Sequence, residues 1–233
     1  MAATLSRPVA KTADESLPIY IELPQVQTRR GYLVFKRCFD FTFALLALIV
    51  LAVPMGIIAA IIALDSPGGP IYRQERLGKD GKPFLICKFR SMRTDAEKDG
   101  PKWAERSDDR CTRFGALLRK TRLDELPQLW NILKGEMSFV GTRPEVRKYV
   151  VRYTDEMMAT LLMPAGVTSL ASISFKDEDE LIDEYTEKGM SVDDAYMEKV
   201  LPEKMKYNLE YMNQFGAFRD IKLMIQTFVS VIK

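Results

Sequence analysis

The longest apolar stretch of the chain runs from Phe41 to Leu64, FTFALLALIVLAVPMGIIAAIIAL, without a single charge. As a helix it would be on the order of 36 Å long, enough to cross the hydrocarbon core of a bilayer and long for a buried core helix. Pro54, with Gly56 beside it, sits near the middle, where a proline removes a backbone hydrogen bond and kinks a helix. Cations flank both sides: Arg29, Arg30, Lys36 and Arg37 before it, and Arg73, Arg76, Lys79, Lys82, Lys88 and Arg90 after it. Cytoplasmic flanks are the ones enriched in Lys and Arg. Two basic flanks therefore favour both ends on one face, with Pro54 at the tip of a re-entrant helical hairpin; a single kinked span is the alternative. Lys36, Arg37 and Asp40 fall at the interface, where long cationic side chains can snorkel.

Ser66-Pro67-Gly68-Gly69-Pro70 breaks the pattern and separates this anchor from the rest of the chain. Alternation then predicts strands over 71–77 and 83–90 around Asp80-Gly81, a strong hairpin signal, with Lys88 and Arg90 on one face. The polar stretch 95–110, with Trp103 and Asp108-Asp109, reads as a surface loop or an amphipathic segment, and 114–120 as a short helix. A helix is predicted over 124–134, with Asp124 as N-cap and Glu125, Leu126 and Pro127 in its first turn. Leu126, Leu129, Ile132 and Leu133 form its apolar face, and Lys134-Gly135 closes it. Further helices are expected over 146–163 up to Pro164, from the acidic run at 177–179 through Glu187, over 201–215 and over 220–233. Residues 167–175 read as strand or loop. The last helix is apolar around so much of its surface that it is either buried or lies at a membrane interface. Residues 1–30 show no sustained period and read as an extension. The expected fold is α+β and mostly helical: an extension (1–31), a re-entrant membrane anchor (32–66) and a compact cytosolic domain (67–233) with a small β-hairpin and interfacial amphipathic helices.

Composition narrows the chemistry. The 233 residues carry 34 Lys and Arg against 32 Asp and Glu, a net charge of +2, which makes no electrostatic case for a nucleic-acid partner. There is no histidine, so His-based zinc sites, catalytic triads and imidazole bases are excluded together. Acid–base work falls to carboxylates, Lys, Tyr or Cys. Cys38, Cys87 and Cys111 are an odd set without metal-type spacing, which suits a reducing compartment. The apolar core begins too late in the chain for a signal peptide.

The stretch Thr121 to Glu145, TRLDELPQLWNILKGEMSFVGTRPE, carries the candidate chemistry. Asp124-Glu125 can be read as a capping pair that complements a helix dipole. The other reading is a carboxylate nucleophile beside a second acid, with Arg143 holding phosphate and a divalent cation neutralising phosphate oxygens. Spacing does not choose between the two. Asp177-Glu178-Asp179 also satisfies the Asp-x-Asp metal motif of ordinary nucleotide-sugar glycosyltransferases, although the same residues suit the first turn of a helix.

The stretch closely resembles the bacterial sugar transferases, monotopic polyprenyl-phosphate phosphoglycosyl transferases. Their Asp-Glu-Leu-Pro-Gln, Lys-Gly-(acid)-Met-Ser and Gly-Pro-Arg-Pro motifs are met by DELPQ at 124–128, KGEMS at 134–138 and GTRP at 141–144, with Thr142 where the family has proline. Ser66-Pro67-Gly68, Gln74/Arg76/Gly78 and Lys88 to Met92 match further motifs, and the resemblance covers roughly Lys36 to the C-terminus. Ala165 stands as an added residue, and Ser169 as a departure from glycine, in the family's Pro-Gly-Ile-Thr-Gly. The resemblance implies transfer of a sugar-1-phosphate from a UDP-sugar to polyprenyl (undecaprenyl) phosphate with release of UMP, at the cytoplasmic face of a bacterial inner membrane. It implies Asp124 as nucleophile, Glu125 beside it, Mg²⁺ held by both, and Lys88, Arg90 and Arg143 on phosphate, with Thr168 a candidate nucleotide contact and a homodimer allowed. An N-acetylated hexosamine is the sugar it favours. Two other readings stand beside it: a metal-dependent glycosyltransferase using Asp177 and Asp179, and a non-catalytic membrane adaptor.

Overall fold

The structure, a computed structural model, describes residues 7–9, 19–21, 30–94, 110–175 and 178–232. Most of the expected loop at 95–110, with Trp103 and Asp108-Asp109, lies outside them, as does Asp177. The extension holds a short antiparallel pair, β1 (Arg7–Val9) with β2 (Ile19–Ile21). The apolar run is one helix, α1 (Arg30–Asp65), that continues through Pro54. No turn divides it into the two arms of a hairpin. A proline removes one intrahelical hydrogen bond, and the apolar positions on either side keep the 3.6-residue period and carry the helix across.

The two predicted strands form as β3 (Ile71–Leu77) and β4 (Pro83–Phe89), antiparallel in full register from Ile71↔Phe89 to Leu77↔Pro83. Asp80 and Gly81 take positive φ in the turn, as an Asp-Gly hairpin signal requires. Next come α2 (Arg113–Lys120), α3 (Gln128–Lys134) and β5 (Met137–Val140). The helix expected over 146–163 is broken into α4 (Arg147–Val150), α5 (Asp155–Met158) and a final 3₁₀ turn, Ala159–Leu162. Thr154 restarts the helix, its hydroxyl accepting from Met157 N, so a local cap overrides the longer periodicity. Residues 167–175 divide in the same way. β6 (Ala165–Thr168) pairs in parallel with β5, and Ser169 then caps α6 (Leu170–Ser174) by accepting from Ser172 N. The chain ends in α7 (Glu178–Glu187), α8 (Val192–Ala195), α9 (Leu201–Gln214) and α10 (Ala217–Ile232).

What positions the site is the way α1 lies along the rest of the chain. Lys36, Asp40, Ala44, Ile62 and Ser66 are buried, and Leu48, Leu51, Met55, Ile58 and Ala59 pack on the core between them, a stripe at three- and four-residue spacing. Its middle meets Phe84, Ile86, Leu129 and Ile132, and its last turns meet Phe89 and Leu118. Polar contacts fasten both ends. Near the start, Lys36 Nζ donates to Asp220 Oδ2 at 2.5 Å, Arg37 donates to the carbonyls of Ile132 and Leu133 at the end of α3, and Asp40 accepts from Phe139 N. At the far end, Arg90 donates to the carbonyls of Pro67 (2.6 Å) and Ser66 (2.7 Å) and to the Ser66 hydroxyl, capping the helix with a cation.

Asp220 also accepts from the hydroxyls of Tyr32 and Tyr211, so α1, α9 and α10 meet at one carboxylate. Asp220→Ala would leave the Lys36 ammonium, only 5% exposed, without its counter-charge. The expected cost is about 3 kcal/mol or more, as is usual on breaking a buried pair, read as a lowered urea midpoint in detergent.

Candidate active site

The carboxylates sit where α2 hands over to α3. Arg122 takes a left-handed conformation (φ 57°, ψ 12°) and turns the chain sharply into a 3₁₀ turn over Leu123–Glu125. A non-glycine residue held there costs on the order of 1 kcal/mol and persists only where surrounding contacts enforce it. Asp124 is therefore not the N-cap of α3. Pro127 takes that position, without a side-chain cap bond, and α3 runs from Gln128 to Lys134 with Gly135 (φ 87°) closing it as expected. Released from capping, the Asp124 carboxyl is buried, and its Oδ1 has no hydrogen-bond partner in the protein.

Lys88, delivered by β4, donates to Glu125 Oε1 at 2.9 Å; Arg122 Nη1 stands 3.9 Å from the same oxygen. The hairpin is held in register with the site by Asn131, fully buried on α3. Its Oδ1 accepts from Cys87 N, and its Nδ2 donates to Leu85 O and to Glu136. Asn131 thus serves as a further strand on the β4 edge, next to Lys88. Arg143 approaches from the loop after β5, its Nη1 3.3 Å from the Ser172 hydroxyl. That loop is placed by a close crossing of β5 and β6. Gly141 N donates to Thr168 O, and a Cβ on Gly141 would collide with Pro164 O. Thr142 N donates to Pro164 O, Thr142 O accepts from Gly166 N, and its hydroxyl bonds Thr160 O.

Burial pushes the Asp124 carboxyl above the ordinary aspartate range; Lys88 opposes this, Glu125 adds to it, and Arg119 and Arg122 oppose it. For Glu125 burial acts in the same direction, but Lys88, then Arg143 and Arg122, outweigh it and hold the group below the usual glutamate range. The neighbours are thus unlike: a firmly ionised, paired Glu125 and a desolvated Asp124 with an open oxygen. Burial also disfavours the Arg143 cation, and Glu125, Glu178 and Glu145 more than restore it.

Of the residues singled out from sequence, Asp124, Glu125, Lys88 and Arg143 share one electrostatic neighbourhood. Arg90 does not join it, because its guanidinium is turned onto the end of α1. The Thr168 hydroxyl is paired with Thr227 on α10. Of the acidic run at 177–179, Glu178 is bound to Lys204 at 2.9 Å. Among the described residues no cluster of three or more acidic or cysteine side chains could hold a metal. Asn131 escaped the sequence reading, and so did the conformation of Arg122, though not its place near the site. Asn131 could have been found as an amide, with Gln128, on a helix whose other buried positions are apolar; nothing in the sequence marks the positive φ of Arg122.

The family model of the bacterial sugar transferases matches residues 31–233. The chain belongs to that family. With this the expected enzyme class, a phosphoglycosyl transferase, stands. Similar proteins include the putative undecaprenyl-phosphate N-acetylgalactosaminyl 1-phosphate transferase of Bacillus subtilis, 48% identical over 54% of this chain and 70% of that protein. The UDP-N-acetylgalactosamine-undecaprenyl-phosphate N-acetylgalactosaminephosphotransferase of Aeromonas hydrophila is 31% identical over 86% of this chain and 44% of its own length. The UDP-glucose:undecaprenyl-phosphate glucose-1-phosphate transferase of Escherichia coli is 33% identical over 83% and 39%. The chain thus spans less than half of these two longer sugar transferases.

The electrostatics give a signed test. Asp124 loses its charge as pH falls through its raised pKa, so the acidic limb of kcat/KM should lie above the ordinary aspartate range. Lys88→Met removes the strongest influence favouring the carboxylate, and the limb should move to higher pH. An unmoved limb would assign that ionisation to another group.

Proposed function

We propose that this sugar transferase moves a sugar-1-phosphate from a UDP-sugar to polyprenyl phosphate in two displacements on Asp124, a first membrane step in surface glycan or glycoconjugate assembly. The observation that carries the reading is the buried, unpartnered Asp124 oxygen set beside cations whose charge is otherwise shared with Glu125. In the first step an Asp124 oxygen attacks the phosphorus that bears the sugar, the bond from that phosphorus to the bridging oxygen breaks, and UMP leaves with the electron pair. The phosphosugar remains as an ester on Asp124. In the second, an oxygen of polyprenyl phosphate attacks the same phosphorus and the Asp124 carboxylate departs, giving the polyprenyl diphosphate sugar.

The groups present suit this sequence. Arg143 and Lys88 are placed to neutralise phosphate oxygens, and a guanidinium can do so with two parallel hydrogen bonds. The ionised Glu125 keeps both cations in place. Asp124 and Glu125 are hard oxygen donors, and the open Asp124 oxygen fits Mg²⁺, which needs only one or two carboxylates when substrate phosphates complete its shell. When bound, the ion would supply charge neutralisation at the phosphate oxygens. Relatives named for N-acetylgalactosamine transfer support an N-acetylated hexosamine as the donor to try first.

The seat at the membrane is part of the proposal. α1 is long and apolar enough to cross a bilayer, yet its two ends are bonded to the same domain. Its outer face, with Val34, Phe35, Leu46, Ile49, Val50, Val53, Ile57 and Leu64, is exposed. A helix held along the domain in this way supports a one-leaflet attachment, which we place at the cytoplasmic face of a bacterial inner membrane.

Three measurements test these statements. The first is nucleotide release from a panel of UDP-sugars with Mg²⁺, run with and without polyprenyl phosphate. It should give lipid-dependent UMP from one donor and a single-turnover burst without lipid. UDP as product would shift the chemistry toward the acidic run at 177–179, and no release from any donor would favour the adaptor. The second is Asp124→Asn, which should cut turnover by on the order of 10³-fold or more while membrane association persists; near-full activity would remove the nucleophile assignment. The third places cysteines at Gly31 and Gly69, where a Cβ meets nothing within 4 Å. Both should react with an impermeant maleimide from the cytoplasmic side, and opposite sidedness would mean a spanning helix.

A further inference from the structure

Beside Glu125 and Arg143 opens a cleft of about 260 Å³. Its rim carries Arg122, Glu125 and Arg143, and its interior is lined by Leu126, Leu129, Ile132, Phe139, Val167 and Ile173. The wall opposite is α10, through Thr227 and Ser230. The hydroxyls along it already have partners. Thr168 and Thr227 bond each other, Thr227 donates to Leu223 O and Ser230 to Thr227 O, and Ser172 is engaged by Ser169 and Arg143. The uncharged surface left for a ligand is therefore hydrocarbon, and the charged lining is two guanidiniums with the Glu125 carboxylate between their charges.

We propose that this cleft takes the phosphate-proximal isoprenyl units of the lipid acceptor, with the lipid phosphate held at the Arg122–Arg143 rim; the assignment rests on the function proposed above. Chemistry and size both favour this occupant. A cationic rim on an apolar interior matches an anionic head on a branched hydrocarbon chain. The volume lies just under the range of about 300–1,000 Å³ that encloses drug-sized ligands, too small for a whole nucleotide sugar and adequate for a short run of hydrocarbon. The continuation outward is also apolar. α10 exposes Phe218, Ile221, Ile225, Phe228 and Val229 at three- and four-residue spacing, with Phe218 93% exposed, while Asp220 and Leu223 on its other face are buried. The cleft floor, Leu129 and Ile132, packs directly on α1. A prenyl chain leaving the cleft thus emerges near the exposed apolar faces of α1 and α10, and its first units lie beside Glu125.

The test fills the cleft without touching the charged groups. Ile173→Trp and Val167→Phe are compared with the unaltered full chain in detergent or vesicles, after thermal unfolding shows each variant folded. The proposal expects KM for polyprenyl phosphate to rise about tenfold or more, while KM for the UDP-sugar and the lipid-free UMP burst stay unchanged. A diminished burst with a raised donor KM would make the cleft a nucleoside subsite and overturn the proposal, as would kinetics unaffected in both substrates. A second measurement needs no turnover and no variant: a prenyl phosphate carrying a benzophenone near its head is photolysed with the unaltered chain. Adducts within 167–173 or 223–230 support the assignment; adducts confined elsewhere overturn it. Failure of the proposed reaction would show instead as no UMP from the unaltered chain, whatever the cross-link reads.

Discussion

The contact between the Lys88 ammonium and the Glu125 carboxylate is the joint on which the site depends. It brings a strand, a tight turn and a helix start to one point. It lets Glu125 stay ionised away from water, and it is the strongest influence keeping its desolvated neighbour Asp124 from remaining protonated. Removing Lys88 would leave two adjacent buried acids with only Arg119, Arg122 and Arg143 to offset their charge. Asn131 makes the joint rigid by bonding the backbone of Cys87 and Leu85, so Lys88 has little freedom to swing away. A buried ion pair contributes little net stability in general, because desolvation offsets attraction. Its value here is positional: it fixes the charge pattern around Asp124.

The same reasoning explains why a long apolar helix lies against a domain rich in charge. Arg37 and Arg90 are two guanidiniums committed to backbone carbonyls, one ending α3 and the other ending α1. Each replaces hydrogen bonds that water would otherwise supply at a helix terminus, a need that grows where water is scarce. The apolar helix and the acid pair therefore form one packed unit, and the height of Asp124 relative to the exposed apolar faces is set by side-chain packing.

Much of this was legible in the residues. Alternation and Asp80-Gly81 announced the hairpin, an uncharged run announced α1, and the motif around Asp124 announced the acid pair and Arg143. Three features were not legible. Thr154 and Ser169 start short helices by capping, a local competition that period-counting over longer windows averages away. Period two paired Lys88 with Arg90, but β4 ends at Phe89, and the packed position of α1 sends Arg90 to Ser66 and Pro67 while Lys88 goes to Glu125. The departure of Asp124 from the capping role comes from the left-handed turn at Arg122, which no residue type signals.

Thr142 and Ala165, the proline-to-threonine change and the added residue in the family's pattern, face each other in the crossing of β5 and β6 as a parallel bridge. Thr142 gives an N–H to Pro164, which a proline could not do, and takes one from Gly166, so the ladder closes around the extra residue. The two departures therefore meet at one point of the ladder. Restoring proline at 142 alone would strand a carbonyl, and deleting residue 165 alone would slip the register that seats Arg143. The position of Arg143 is thus tied to a crossing in which both unusual residues take part, and a chimera that exchanges one of them alters the ladder that the other completes.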